Sequence, residues 1–323
     1  MHETNESANS PDMSVSIAGV KFRNPVIAAS GTFGNGKEYN GIIDISLLGG
    51  ICTKGLTITA RQGNKGFRIW ETPSGLLNSI GLQNIGIHAF IEQELPFLRE
   101  AGPVIIANLS GAESNEYVSG AEILDKSSID MIELNISCPN VKVGGMAFGL
   151  DSGTAAALVS AVRRVCRNKP LIVKLSPNAP NLSAVALACI NAGADALSLV
   201  NTFKAMAIDT VSRKPVFDLI SAGLSGPAIK PIALRMVWEL FDTLIESGKS
   251  NIQIIGLGGI ACTQDALEFL MAGADAVQVG SATFSNPHTM MEIISGLQKY
   301  MTANNISKMA DISIRGKNYG KTY

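Results

Sequence analysis

Residues 254–284 read IIGLGGIACTQDALEFLMAGADAVQVGSATF, and how this stretch folds decides the architecture of the chain. An apolar run ends among Gly256, Gly258 and Gly259. A segment with helical spacing follows, and a second apolar run, 275–280, ends at Gly280 and Ser281. The pattern is strand, helix, strand. Two readings compete for it. Gly256-x-Gly258-x-x-Ala261 between a strand and a helix matches a dinucleotide fingerprint. There an acidic residue near the C-terminal end of the following strand sits beside the glycines and holds a ribose. Here the acidic candidate, Asp275, opens its strand and would sit at the opposite edge. The second reading makes Gly258-Gly259 and Gly280-Ser281 the loops after the last two strands of a (β/α)8 barrel, where backbone N–H groups hold a phosphate. The second is favoured, and the plainer explanation, glycines needed only for tight turns, stands beside it.

Working outward, the same alternation fills the chain. Eight buried runs are counted: 25–30, 50–54, 103–108, 131–135, 171–174, 195–200, 252–256 and 275–280. Alternation alone does not establish closure, so a doubly wound sheet shares this pattern. The number of runs and the 323-residue length favour an α/β fold of the (β/α)8 TIM-barrel type. A short N-terminal β-hairpin turning at Gly19 is expected from VSIAGVKF. Long loops are expected at the C-terminal strand ends, 56–85 after the second strand and 201–226 after the sixth. Residues 1–12 read as a disordered tail, 13–311 as the barrel and 312–323 as a C-terminal tail.

Composition narrows the function. With 46% hydrophobic residues, 16% charged residues and a net charge of -1, the chain is expected to be compact, and it has no basic stripe for nucleic acid. No apolar run of membrane-spanning length occurs. The polar start, MHETNESANSPDM, lacks a secretory pattern, so a cytoplasmic protein without membrane partners is expected. Five dispersed cysteines with no C-x-x-C pair argue against disulfides, zinc or an iron-sulfur cluster in this chain, and no metal site is expected.

The chemistry gathers at the C-terminal ends of the expected strands: Ser30, Lys54, Asn108, Asn135, Lys174, Asn201, the Gly256–Gly259 run, and Gly280 with Ser281. Two lysines on the edge that also holds a phosphate suggest a phosphorylated cofactor. Pyridoxal phosphate would use a lysine as a Schiff base, and a flavin would use one to stabilise negative charge on reduction. The remaining sequence favours flavin. In NISCPN, residues 135–140, Cys138 has polar neighbours, is followed by Pro139 and precedes Gly144-Gly145. A core cysteine seldom has such surroundings, although cysteine is often simply buried.

With NPVIAASGTFG, TKGLT, RQGN, ETPSGLLNSIGLQN, ELNISCPNVKVGGMAFG, VKLSPN, LVNT, LSGPAIKP and GGI…DALEFLMAGADAVQVGSATF together, the chain resembles the catalytic subunit of class 1B dihydroorotate dehydrogenases from about Met13 to Ser285. The resemblance implies an FMN-binding barrel that oxidises dihydroorotate to orotate in pyrimidine synthesis. It implies flavin contacts from Ser30, Lys54, Gly55, Asn108, Asn135, Lys174, Val200, Gly226, Gly258, Gly259, Gly280 and Ser281. Substrate contacts would come from Lys54, from Asn78, Ser79, Ile80, Gly81 and Leu82, and from Asn135, Asn201 and Thr202, with Cys138 as the base. The segment after Cys138 would act as a lid. Electrons would reach NAD through a partner subunit carrying FAD and a [2Fe-2S] cluster, in a heterotetramer around a homodimer core. Two departures from the commoner family pattern, Ala205 for a frequent glycine and Ser221-Ala222 for a threonine-glycine pair, bear on loop geometry over 203–223. Two other readings remain at this point: a flavin reductase like dihydropyrimidine dehydrogenase, and a non-redox aldolase or isomerase barrel.

Overall fold

A computed structural model describes residues 10–136 and 148–315. Eight parallel strands close into a barrel: β1 (Val26–Ala28), β2 (Gly50–Cys52), β3 (Val104–Leu109), β4 (Met131–Asn135), β5 (Leu171–Lys174), β6 (Ala196–Leu199), β7 (Gln253–Leu257) and β8 (Ala276–Val279). They follow one another in chain order around the barrel, and Val277 of β8 pairs with Val26 of β1 to close it. Each strand lies within or next to one of the eight apolar runs. The strands are short and rich in Ile, Val, Leu and Ala because both faces are covered.

Side chains alternate across each strand. One set, including Val26, Ile105, Ala107, Leu134, Val173 and Leu197, packs with the surrounding helices in the large outer core. The other faces inward. Its first layer, Ile27, Cys52, Ile106, Met131, Ile172, Ala196, Ile255 and Ala276, packs on Ile17 and Phe22 of the N-terminal hairpin, Val15–Ile17 with Val20–Phe22. The hairpin turns through Ala18 (φ 47) and Gly19 (φ 82), and the Ala18 N–H donates to Gln253 Oε1 (2.9 Å). An apolar plug therefore closes the N-terminal end of the barrel.

Helices connect most strands, for example Ser114–Asp125, Ser152–Val165 and Lys230–Glu246. Between β1 and β2, however, the described helical structure is one 3-10 turn, Ile45–Leu47. That connection opens with Gly31, Gly34 and Gly36 at φ of 88, 57 and 88, a backbone that breaks a helix.

The two long excursions pair with each other. Phe203–Ala205, Ala222–Ser225, Gly75–Asn78 and Ile69–Thr72 form one antiparallel sheet. Ala205 lies directly opposite Ala222, so the two departures from the family pattern are cross-strand partners in regular sheet. Near the ends, Asp12 N–H donates to Ser307 O (2.9 Å), and Met309 and Ile312 are buried. The Arg315 guanidinium stacks 3.4 Å above the Trp238 ring. Asp12 itself stays exposed, whereas Ile312 is buried and residues 313–315 are partly buried. Among the described residues no helix is long and apolar enough to cross a membrane.

Candidate active site

A cavity of about 510 Å³ opens between the C-terminal strand ends and the antiparallel sheet of the two excursions, the mouth sheet. Its size suits a cofactor or small ligand. The barrel edge contributes Ser30 after β1, Lys54 and Gly55 after β2, Asn108 from β3, Asn135 from β4 and Lys174 from β5. Val200, Asn201 and Thr202 follow β6, Gly258 and Gly259 follow β7, and Gly280 and Ser281 follow β8. The mouth sheet and its flanking loops bring Asn78, Ile80, Gly81, Leu82 and Gly226. Residues far apart in sequence thus line one space because each ends an adjacent strand.

Two expected residues stand apart. Ser79 is buried and its hydroxyl takes a hydrogen bond from Asn64 Nδ2 (3.0 Å), so its side chain serves the loop and does not line the cavity. Cys138, together with Pro139 and Gly144-Gly145, lies outside the described residues. The described chain stops at Ile136 and resumes at Phe148, and Gly149 N–H donates to Ile136 O (2.9 Å). Ile136 and Gly149, described residues on either side of it, are thus joined next to Asn135.

Beneath the cavity lies a second inward layer that the sequence reading did not single out. Glu133, mid-strand in β4, is fully buried. Its Oε1 accepts from Asn108 Nδ2 (2.7 Å) and Cys52 Sγ (3.2 Å), and its Oε2 from Ser198 Oγ (2.7 Å) and Gln278 Nε2 (2.9 Å). Lys174 Nζ lies 3.8 Å from Oε1 and donates to Ser30 Oγ (3.4 Å). Burial alone would raise the carboxyl pKa. The Lys174 charge and the hydrogen bonds from Ser198, Gln278 and Cys52 outweigh it and hold the group below the ordinary glutamate value. The Cys52 thiol is pushed well up, first by burial and then by the Glu133 charge. A signal for this layer was present: Glu133, Ser198 and Gln278 are polar residues inside apolar strand runs, where charged residues seldom lie unless paired.

From that carboxylate the amides link upward. Asn135 Nδ2 donates to Asn108 Oδ1 (3.4 Å), and Asn201 Nδ2 donates to Asn135 Oδ1 (3.2 Å). At the rim, Lys54 Nζ donates to Gly31 O (3.4 Å). Burial lowers its pKa against the opposing pull of Glu38, and the Arg68 charge lowers it further.

The glycines divide into two kinds. Gly258 and Gly259 have φ of 130 and 77, and a Cβ on Gly259 would come within 2.8 Å of Gly226 O. Tight backbone geometry is enough to require glycine there. A Cβ on Gly280 would approach nothing closer than Ala29 Cβ at 3.7 Å, so protein packing does not require that glycine. Space on the cavity side is what its missing side chain leaves. Asp275, the acidic residue of the dinucleotide reading, accepts from Ile254 N (2.8 Å) at the N-terminal end of the barrel, far along the strands from these loops.

The donor set fits FMN: two buried or half-buried cations, amides with set polarity, adjacent glycine loops, and Gln278, whose buried Oε1 has no hydrogen-bond partner among the described residues. Comparison with known proteins shows the family. Residues 12–301 match the family model described as dihydroorotate dehydrogenase. The chain is 58% identical over 301 residues to the Petrotoga mobilis protein named "Dihydroorotate dehydrogenase B (NAD(+)), catalytic subunit", a match covering 93% of this chain and 98% of that one. A Geotalea daltonii protein of the same name is 51% identical over 94% of this chain and 97% of its own. One from Thermoanaerobacter pseudethanolicus is 48% identical over 93% and 97%.

Proposed function

The chain belongs to the dihydroorotate dehydrogenase family, and from that premise we propose that it oxidises (S)-dihydroorotate to orotate with FMN held in the barrel cavity. It is an oxidoreductase, which removes the non-redox barrel reading. The observation that carries the proposal is the convergence of Lys54, Lys174 and the Asn201–Asn135–Asn108 chain on one cavity beside the β7 and β8 loops.

FMN, when bound, would supply a hydride acceptor for C6 of the substrate. Lys54 supplies positive charge for the substrate carboxylate, and the amides of Asn78, Asn135 and Asn201 offer a donor and an acceptor each to the pyrimidine ring. Buried Lys174 would hold positive charge at the cavity floor, against negative charge developing in the bound ring. Cys138 takes the proton from C5. An unperturbed thiol has a pKa of about 8.5, so a small thiolate fraction is available at neutral pH. Gly258, Gly259, Gly280 and Ser281 hold the cofactor phosphate.

Electrons leave through a partner subunit that carries FAD and a [2Fe-2S] cluster and passes them to NAD, in a cytoplasmic heterotetramer built on a homodimer of this chain. The relatives' names, "catalytic subunit" and "NAD(+)", support this route, as does the wide separation of the five cysteines in the sequence.

An anaerobic spectrum of the purified chain before and after dihydroorotate is the test. A flavin spectrum that bleaches on addition is expected, with NAD reduced at speed only after the partner is added. A colourless protein, FAD in place of FMN, or no bleaching would overturn the proposal. Tight orotate binding separates it from a dihydropyrimidine reductase, whose substrate lacks the carboxylate.

A further inference from the structure

We infer that Glu133, which is fully buried and does not line the cavity, is the positioning residue that sets the hydrogen-bond polarity of the cavity floor and offsets the charge of Lys174. The inference rests on the FMN reading given above. Its basis is the acceptor-only chemistry of a carboxylate. Asn108 and Gln278 must each turn an NH2 group towards Glu133, and this places their oxygens at the other end. Asn108 Oδ1 then receives Asn135 Nδ2, and Asn135 Oδ1 receives Asn201 Nδ2. The orientation of four amides, three on barrel strands and Asn201 in the loop after β6, thus follows from one anion, whichever way each amide would otherwise turn. Gln278 presents an acceptor, Oε1, that has no partner among the described residues, although the residue lines the cavity.

The same anion sits 3.8 Å from Lys174 Nζ, with both side chains buried. Cys52 and Lys174 are the titratable groups that face it, and Asn108, Ser198 and Gln278 supply the neutral donors. In a site excluded from water, removing one charge of a pair acts strongly on a nearby charge-accepting ring. Glutamine at 133 keeps the shape, loses the charge, and can turn either end of its amide towards its neighbours. It leaves Lys174 uncompensated and the amide orientations undetermined.

The test is the midpoint potential of bound FMN in the FMN-loaded wild type, Glu133→Gln, Ser198→Ala and Cys52→Ala, with orotate affinity measured on each. Glu133→Gln is expected to raise the potential, because a negative charge beneath the cavity is gone. It should also weaken orotate binding roughly tenfold or more, the scale of a hydrogen bond to a charged group. Ser198→Ala and Cys52→Ala are expected to lower the potential, because each removes a donor that screens the carboxylate and leaves its charge in place. Loosened packing alone would move all three variants the same way, and that result overturns the inference. Should Glu133→Gln fail to fold, the two donor variants decide: a raised or unchanged potential in both overturns it. A wild type that carries FMN while the variants leave the potential unmoved defeats this inference alone, whereas a wild type without FMN defeats both it and the proposed function.

Discussion

The cavity floor and the mouth sheet invert the usual distribution of residues in opposite senses. The floor buries Glu133, Lys174, Asn108, Ser198 and Gln278, whereas the mouth sheet and its neighbouring loops expose Phe67, Ile69, Ile208, Val211 and Ile220. Burying a charge is costly unless it is paired and hydrogen-bonded, and in the floor it is both. Every floor residue stands on a barrel strand whose position is set by two neighbouring strands and a packed outer core. The mouth strands come from long excursions and rest chiefly on one another and on a small cluster of Leu77, Val216, Phe217 and Ala222. The difference teaches that electrostatic precision is assigned to the rigid part. Substrate access and contact surface are assigned to the part that can vary without disturbing the barrel.

The largest expected effect tests the chemistry added between the two regions. Cys138→Ser is expected to keep FMN and slow flavin reduction by dihydroorotate roughly 10² to 10⁴-fold, the range of general-base contributions. Stopped-flow reduction at neutral pH measures it, and a near-normal rate would leave Cys138 with no part in the chemistry. Next, Lys174→Met strips the floor of its cation and leaves Glu133 buried without its ionic partner. A loss of about 3–5 kcal/mol in chemical denaturation is expected. A loss below about 1 kcal/mol would show that floor and barrel stability are uncoupled.

The mouth should respond differently. Gly226 has φ of 96, and a Cβ there would come 2.9 Å from Gly75 Cα, so Gly226→Ala distorts the join between the two excursions. Weaker cofactor retention is expected, with backbone strain of order 1–3 kcal/mol confined to the mouth. Equilibrium dialysis of FMN beside a denaturation curve shows whether the barrel shares the damage, and a fully shared loss would erase the distinction between the regions.

Lys54 sits at the rim between them. Because burial lowers its pKa, its positive charge is present below that lowered value and lost as pH rises through it. Orotate affinity should therefore fall on the alkaline side before an ordinary lysine would titrate. Binding that stays flat to the ordinary lysine value would remove Lys54 as the carboxylate partner. The smallest effect is expected of Ala205→Gly, which trims one cross-strand pair opposite Ala222. A cost of roughly 0.5–1 kcal/mol and an unchanged rate of flavin reduction are expected from thermal unfolding and turnover together.

The cavity-lining residues that could be read from the residue pattern itself, without the family resemblance, share one property: they end an apolar run. Ser30, Lys54, Asn108, Asn135, Lys174 and Asn201 were legible because a strand that closes in a polar residue presents it at the edge where such barrels carry their chemistry. Ser79, expected beside them, does not line the cavity, because neighbouring residues in an irregular loop need not face the same way, and Asn64 takes its side chain. Glu133 was passed over because it lies inside a run, and its meaning depends on Asn108, Ser198 and Gln278, which come from three other strands.

What the sequence by itself determined is local. Apolar alternation set the strands, glycine at positive φ set the turns, and the strand-end residues set the chemistry on offer, because each depends on residues close together in the chain. The tertiary structure decided what depends on closure. The Val277 to Val26 pairing converts eight separate strand ends into one ring. The joining of residues 69–78 to 203–225 walls a cavity that neither excursion forms alone. The inward pleat stacks Glu133 among partners up to 145 residues away in sequence. Those contacts are set by which side chains face a shared interior, and only the closed barrel brings them within hydrogen-bonding distance.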